Sequence, residues 1–263
     1  MKTRRALEAD LRQALVQGSF EVHYQPVVDL VSNVVTGCEA LLRWRHPDRG
    51  MISPAEFIPV AEETGLIIEL GEWVLRQACT DAVKWPGKIK LAVNVSPLQF
   101  KSGTLALKVA TALAETGLSP NRLELEITEA VLIRDDEEAL SVLHQLRHLG
   151  VRIALDDFGT GYSSLSYLRR FPFDKVKIDR SFIRDVAEAE GSSPIIEAVV
   201  HMASAGHMTT TAEGVETEEQ RDILRKLGCN EMQGYLFSPA VPVERPRGFV
   251  LWQKLLRCSL TAD

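Results

Sequence analysis

The chain has 263 residues, 45% hydrophobic and 25% charged, a composition that fills a large core and excludes a disordered chain. Its net charge of −6 excludes a protein that wraps a nucleic-acid polymer, which needs a basic surplus, but suits a site that gathers divalent cations. The start MKTRRALEADLRQAL has no apolar leader, no run is long and apolar enough to span a bilayer, and Cys38, Cys79, Cys229 and Cys258 lack CxxC spacing. The expectation is a cytoplasmic chain with reduced thiols and no membrane contact.

Taken in chain order, extended segments are predicted near 20–28, 34–43, 89–95, 122–128, 151–156, 173–178, 207–212 and 229–236. Helical periodicity falls between most of them, at Pro54 to Glu63, Glu69 to Trp85, Thr104 to Glu115, Asp135 to Leu149, Pro194 to Ala205 and Thr217 to Leu227. The first two strands are separated only by a turn at Ser32-Asn33, so a hairpin with one antiparallel strand is expected to open the fold. No Pro, Ser or Gly-rich linker interrupts the alternation, and residues 1–263 read as one α/β domain, a modified TIM (β/α)8-type barrel.

Four of these strands have an unusual polarity. Leu91, Val93 and Val95 alternate with Asn94; Leu123, Leu125 and Ile127 with Glu124 and Glu126; Val151, Ile153 and Leu155 with Arg152 and Asp156; Val176 and Ile178 with Lys175, Lys177 and Asp179. If the apolar parity faces the helices, the polar parity faces the barrel interior, where branched apolar residues are usual. Carboxylates gathered there require cations or metal to offset the cost of burial. Asn94, Glu126, Asp156 and Lys177 lie toward the C-terminal strand ends, where barrel enzymes place their chemistry. Salt bridges from Arg152, Lys175 and Lys177 account for only part of this charge, because acids outnumber bases.

Asp156-Asp157 precedes the glycine-rich stretch FGTGYSS, and hard oxygen donors with an amide select Mg²⁺ or Mn²⁺ over zinc. Asp157-Phe158-Gly159 spells a kinase DFG without the rest of a kinase. His144 and His148 lie four apart, but Leu143, Leu146 and Leu149 mark the buried face, so both histidines are expected to be exposed. The run Asp135 to Glu138 reads as an acidic helix start.

The motifs EALLRWRHP at 39–47, YQPVV at 24–28, PAEFIPVAEETGLI at 54–67, NVSPLQF at 94–100, ELEITE at 124–129, DDFGTGYSSLSYL at 156–168, KIDRSFI at 177–183, AEGVET at 212–217 and QGYLFSPA at 233–240 resemble those of EAL-domain cyclic di-GMP phosphodiesterases along nearly the whole chain. The resemblance implies a two-ion Mg²⁺ or Mn²⁺ site that opens cyclic di-GMP to linear 5′-pGpG. It implies Glu39, Asn94, Glu126 and Asp156 as ligands of one ion, and Asp156, Asp157 and Glu213 as ligands of the other. It further implies catalytic work for Lys177, Glu39, Glu213 and Asp157, with Lys177 orienting and helping to deprotonate the water. Gln25, Arg43, Asp179 and Gln233 are expected to contact the ligand or metal waters, and Glu129 and Glu216 to support the 157–164 loop and the ligands. The resemblance also implies a homodimer and a longer parent carrying sensor, receiver or GGDEF domains. A receptor that binds cyclic di-GMP without turnover is the alternative, and the complete ligand set favours the enzyme.

Overall fold

The structure, a computed structural model, describes residues 2–131, 136–159, 170–184, 186 and 193–242. β1 (Phe20–Asp29) and β2 (Val35–His46) form the hairpin that the Ser32-Asn33 turn predicts. Asp29 Oδ1 accepts from the amides of Val31 and Ser32 at 3.1 and 2.7 Å, and Asn33 takes the left-handed φ of 56° that such a turn favours in asparagine. β3 (Gly50–Ile52) pairs with the outer end of β2.

β4 (Lys90–Val95), β5 (Leu123–Thr128), β6 (Arg152–Phe158), β7 (Lys175–Ile178), β8 (Thr209–Ala212) and β9 (Glu231–Met232) continue from β2 as a parallel series. β1 lies antiparallel to both β2 and β9, so eight strands close into the expected barrel with one reversed member. A two-residue β10 (Val241–Pro242) adds to β1 at His23 and Tyr24.

The helices Pro54–Glu63 and Pro194–Ala205 begin on a proline whose missing N–H costs nothing there. Ile67–Ala82, Leu105–Thr116, Asp136–His148 and Glu218–Lys226 occupy the other predicted places, the last capped by Thr217, whose hydroxyl accepts from the Gln220 amide at 3.2 Å. Asp135 and Cys258 lie outside the described residues. His144 and His148 are exposed while Leu143 and Leu146 are buried, as the periodicity requires.

One strand is shorter than expected: over 229–236 only Glu231–Met232 is ladder. The chain turns at Gly234, where an added Cβ would stand 2.1 Å from the Val215 carbonyl oxygen, so the backbone folds over Val215 instead of extending β9. A helix Lys2–Gln17 precedes the first strand, and the helices Pro97–Lys101 and Arg180–Arg184 are too short to show a helical period.

Apolar residues divide into two cores. The larger fills the space between the barrel and its helices, with Leu91, Leu123, Ile153 and Val176 fully buried. The smaller joins Leu7 and Leu11 of the N-terminal helix to Trp44, Phe57, Ile67 and Leu70, with Trp44 and Phe57 edge-to-face at 5.6 Å.

Inside the barrel the polar parity does face inward, and its lower layer is a closed ionic network. Lys175 Nζ lies 2.6 Å from Glu124 and 2.8 Å from Glu231, and Arg152 Nε donates to Glu124 at 3.2 Å. The hydroxyls of Thr36 and Thr211 donate to Glu231 at 2.7 and 3.0 Å. Burial raises the Glu231 carboxyl, but the Lys175 ammonium and these donors outweigh it and bring it down to about 2. The salt-bridge reading of the interior charges therefore describes this layer.

Candidate active site

Strand side chains alternate, so three of the segments that supply the lower layer supply a second inward residue two positions on. Glu126 follows Glu124, Lys177 follows Lys175, and Gln233 follows Glu231 just beyond β9. These meet Glu39 from the middle of β2, Asn94 from the end of β4, Asp156 and Asp157 from β6, and Glu213 directly after β8. Every predicted ligand thus stands at one mouth of the barrel.

Lys177 is the hub. Its Nζ lies 2.7 Å from both Glu126 and Glu213, 3.2 Å from Asp156 and 3.8 Å from Glu39, with 2% of the side chain exposed. Burial disfavours the ammonium, but these four carboxylates outweigh it and hold Lys177 well above the usual lysine range. On Glu39, burial is outweighed by Lys177 and by the Gln233 and Asn94 amides, which donate to its two oxygens at 2.6 Å each, and its carboxyl falls below the usual range.

The neighbouring acids move the other way. Burial, together with repulsion from Glu39 and Asp156, drives Glu126 well above the carboxylate range despite Lys177. Burial raises Glu213 to about 7, and burial with Asp156 and Asp179 nearby raises Asp157. Asp156, Asp157 and Glu213 offer carboxylate oxygens that all lie within 4.8 Å of one another. Asp157 holds a left-handed φ of 53°, uncommon outside glycine, which turns its carboxylate out of the strand direction while its amide donates to Asp156 Oδ1 at 3.0 Å.

Five carboxylates around one ammonium leave a formal charge of −4, which two divalent cations would neutralise. The donors are hard oxygens plus one Asn amide, and the buried Oε1 of Gln233, beside Glu39, has no hydrogen-bond donor. The residues therefore fit a divalent-metal centre. Because Glu213 titrates near 7 without metal and must be ionised to ligate, metal affinity is expected to rise as pH increases through 7, with protons released on binding. Calorimetry at pH 6.5 in two buffers of different ionisation enthalpy measures this release; identical apparent enthalpies would refute it.

The other predicted residues separate in role. Gln25 accepts from Gln233 Nε2 at 3.0 Å and donates to the Ser238 carbonyl at 3.0 Å, so Gln25, Gln233 and Glu39 form one chain of hydrogen bonds, which sequence reading treated as separate contacts. Arg43 lines an apolar cavity of about 580 Å³ bounded by Leu42, Ile58, Ile67, Leu70 and Asn94. Asp179 lines neither cavity; its carboxylate accepts from the Ser181 amide at 2.9 Å and starts the following helix. Buried Glu129 accepts from the Gly159 amide at 3.3 Å, at the base of the 157–164 loop, whose residues 160–164 lie outside the described residues.

Glu216 is exposed and lines a second, polar cavity of about 350 Å³ with Gln25, Lys177, Arg180, Arg184 and Tyr235. The two cavities share Leu41 and Asp156, so they are lobes meeting over the carboxylates. Sequence reading missed Arg180 and Arg184; RSFIR at 180–184 shows them four apart, the signal that they share a helix face.

Fold and site together define a barrel with a two-lobed cleft over a divalent-metal type of centre. The chain belongs to the EAL domain family, whose model matches residues 8–240. It is 52% identical over 245 residues to the uncharacterized protein y4lL of Sinorhizobium fredii, a match covering 93% of this chain and 30% of that protein. It is 45% identical over 240 residues to the bifunctional diguanylate cyclase/cyclic di-GMP phosphodiesterase MucR of Pseudomonas aeruginosa, covering 90% of this chain and 35% of that one. The solved PaMucR phosphodiesterase in complex with c-di-GMP superposes with a TM-score of 0.86 at 44% identity, covering 91% of this chain and 98% of that one. The chain spans about a third of the length of the curated relatives it matches. Among the described residues no helix is long and apolar enough to cross a membrane.

Proposed function

We propose that the chain hydrolyses one phosphodiester of cyclic di-GMP to linear 5′-pGpG with two Mg²⁺ or Mn²⁺ ions. The carrying observation is the cluster of five carboxylates around Lys177, of formal charge −4, in which burial and repulsion from neighbouring acids push Glu126 and Glu213 toward protonation. The named activity of MucR and the ligand in the PaMucR complex support the substrate.

On this reading Glu39, Asn94, Glu126 and Asp156 hold one ion, and Asp156, Asp157 and Glu213 the other. Such ions, when bound, polarise the phosphate and make water a nucleophile near neutral pH. Lys177 orients that water by hydrogen bonding and balances the surrounding carboxylates. Gln233 and Asn94 fix the rotamer of Glu39 by occupying both of its oxygens.

The chain's share of its relatives' length supports its being one module of a longer protein, and the family resemblance supports a homodimer. The buried, unbridged Cys38, Cys79 and Cys229 suit the reducing cytoplasm. Incubation of purified protein with cyclic di-GMP and Mg²⁺ or Mn²⁺ is expected to yield pGpG. Binding of the dinucleotide without product would instead identify a receptor.

A further inference from the structure

Most of the described arginines give their guanidinium groups to carboxylates or main-chain carbonyls: Arg45 to Glu21, Arg49 to Glu56, Arg147 to Asp174, Arg152 to Glu124, Arg122 to Ile89 and Ala82, and Arg225 to Leu30. The guanidinium groups of Arg180 and Arg184 make no hydrogen bond or ion pair among the described residues, although both line the polar lobe with Lys177, Glu213 and Glu216. Both are exposed, and they lie four apart on the helix Arg180–Arg184, where side chains share a face and like charges repel.

The stem of Arg180 is held in place. Gly214, at a φ of 68°, packs so closely that an added Cβ would stand 2.6 Å from Arg180 Cβ and 3.5 Å from its Cα. The loop carrying Glu213 therefore lies directly under the root of Arg180. Two guanidiniums without an ion pair among the described residues are thus presented into a lobe that opens onto the metal-type centre through the shared Asp156.

Resting on the cyclic-dinucleotide reading, we propose that Arg180 and Arg184 form an anion clamp for the phosphate that is not cut. A cyclic dinucleotide carries two phosphodiesters on opposite sides of its ring, so seating one over the carboxylate cluster leaves the other, still charged, within the cleft. Paired guanidiniums meet such a group with charge-assisted, fork-shaped donors. Arg180 and Arg184 act as positioning residues: they hold the ring so that the scissile phosphate faces the centre, and they touch no reacting atom.

The test is steady-state hydrolysis of cyclic di-GMP by the whole chain and by the double variant Arg180→Gln/Arg184→Gln, over a range of ionic strength. KM is expected to rise about 10–100-fold with kcat changed only a few-fold, and KM should depend less steeply on salt than in the parent. Arg180→Lys/Arg184→Lys should recover part of the affinity. Since the pair repels when empty, the variant without ligand should melt no lower than the parent. An unchanged KM and salt dependence would overturn the clamp, as would a lower melting temperature with kcat and KM damaged together. If the parent itself releases no pGpG, the substrate reading fails, an outcome distinct from either result.

Discussion

Glu39→Ala is expected to lower pGpG release by several orders of magnitude while the barrel stays folded. Glu39 receives two amide donors at 2.6 Å and faces Lys177 at 3.8 Å, so its position is fixed before any ligand arrives. On the proposed mechanism, removing it takes one carboxylate from a centre that holds two divalent ions and an activated water. Folding survives because Lys177 retains Glu126, Glu213 and Asp156 within 3.2 Å, and the acids lose a repulsive neighbour. Rates with Mg²⁺ and a thermal melt of the same preparation check both halves. Hydrolysis within tenfold of the parent would remove Glu39 from the ligand set.

Lys175→Met is expected to do the reverse, weakening the fold without touching the centre. Its ammonium is the shared partner of Glu124 and Glu231, each at most 8% exposed, and removal leaves two buried carboxylates facing each other. Breaking a buried pair costs about 3–5 kcal/mol, which for a domain of this size lowers the melting temperature by roughly 10 °C. Adding Glu231→Gln should recover most of the loss, since Glu124 keeps its pair with Arg152 and no buried carboxylate is then left without a cation.

The pH dependence has a definite sign. Glu231 sits at about 2 in the fold against about 4.3 unfolded, so its contribution is full above the unfolded value and vanishes as pH falls through the folded one. In the parent about 3 kcal/mol is therefore lost progressively between about pH 5 and pH 2. Denaturant titrations at pH 7 and pH 3 should show about half of this loss, and a Glu231→Gln variant with the same pH slope would refute the assignment.

Much of this arrangement was legible beforehand because a strand's period of two is unforgiving. Glu124 with Glu126, and Lys175 with Lys177, could face one way only, and the apolar parity decided which. Parity did not divide the interior into a closed lower network and a surplus-acid upper one, because that depends on Glu231 and Thr36, far apart in sequence. The shortened β9 was hidden for a similar reason. Its end is set by Gly234 meeting Val215, a tertiary contact that the run of residues before it does not announce. The role of Asp179 as a helix start was readable from its place before Arg180–Arg184, had the helix been long enough to show periodicity.

The reversed first strand joins the two ends of the described barrel. β1 is synthesised early, yet one of its edges is filled by β9, and Gln25 meets Gln233 across 208 residues of chain. Until that late segment arrives, the sheet is an open ribbon with an unpaired edge, and the orienting bond from Gln233 to Glu39 does not exist. Ring closure over so long a loop is slow, and the nascent edge is exposed to pairing with other chains in the meantime. A chain truncated before Gln233 would carry all five acids of the centre and still lack the amide that orients Glu39.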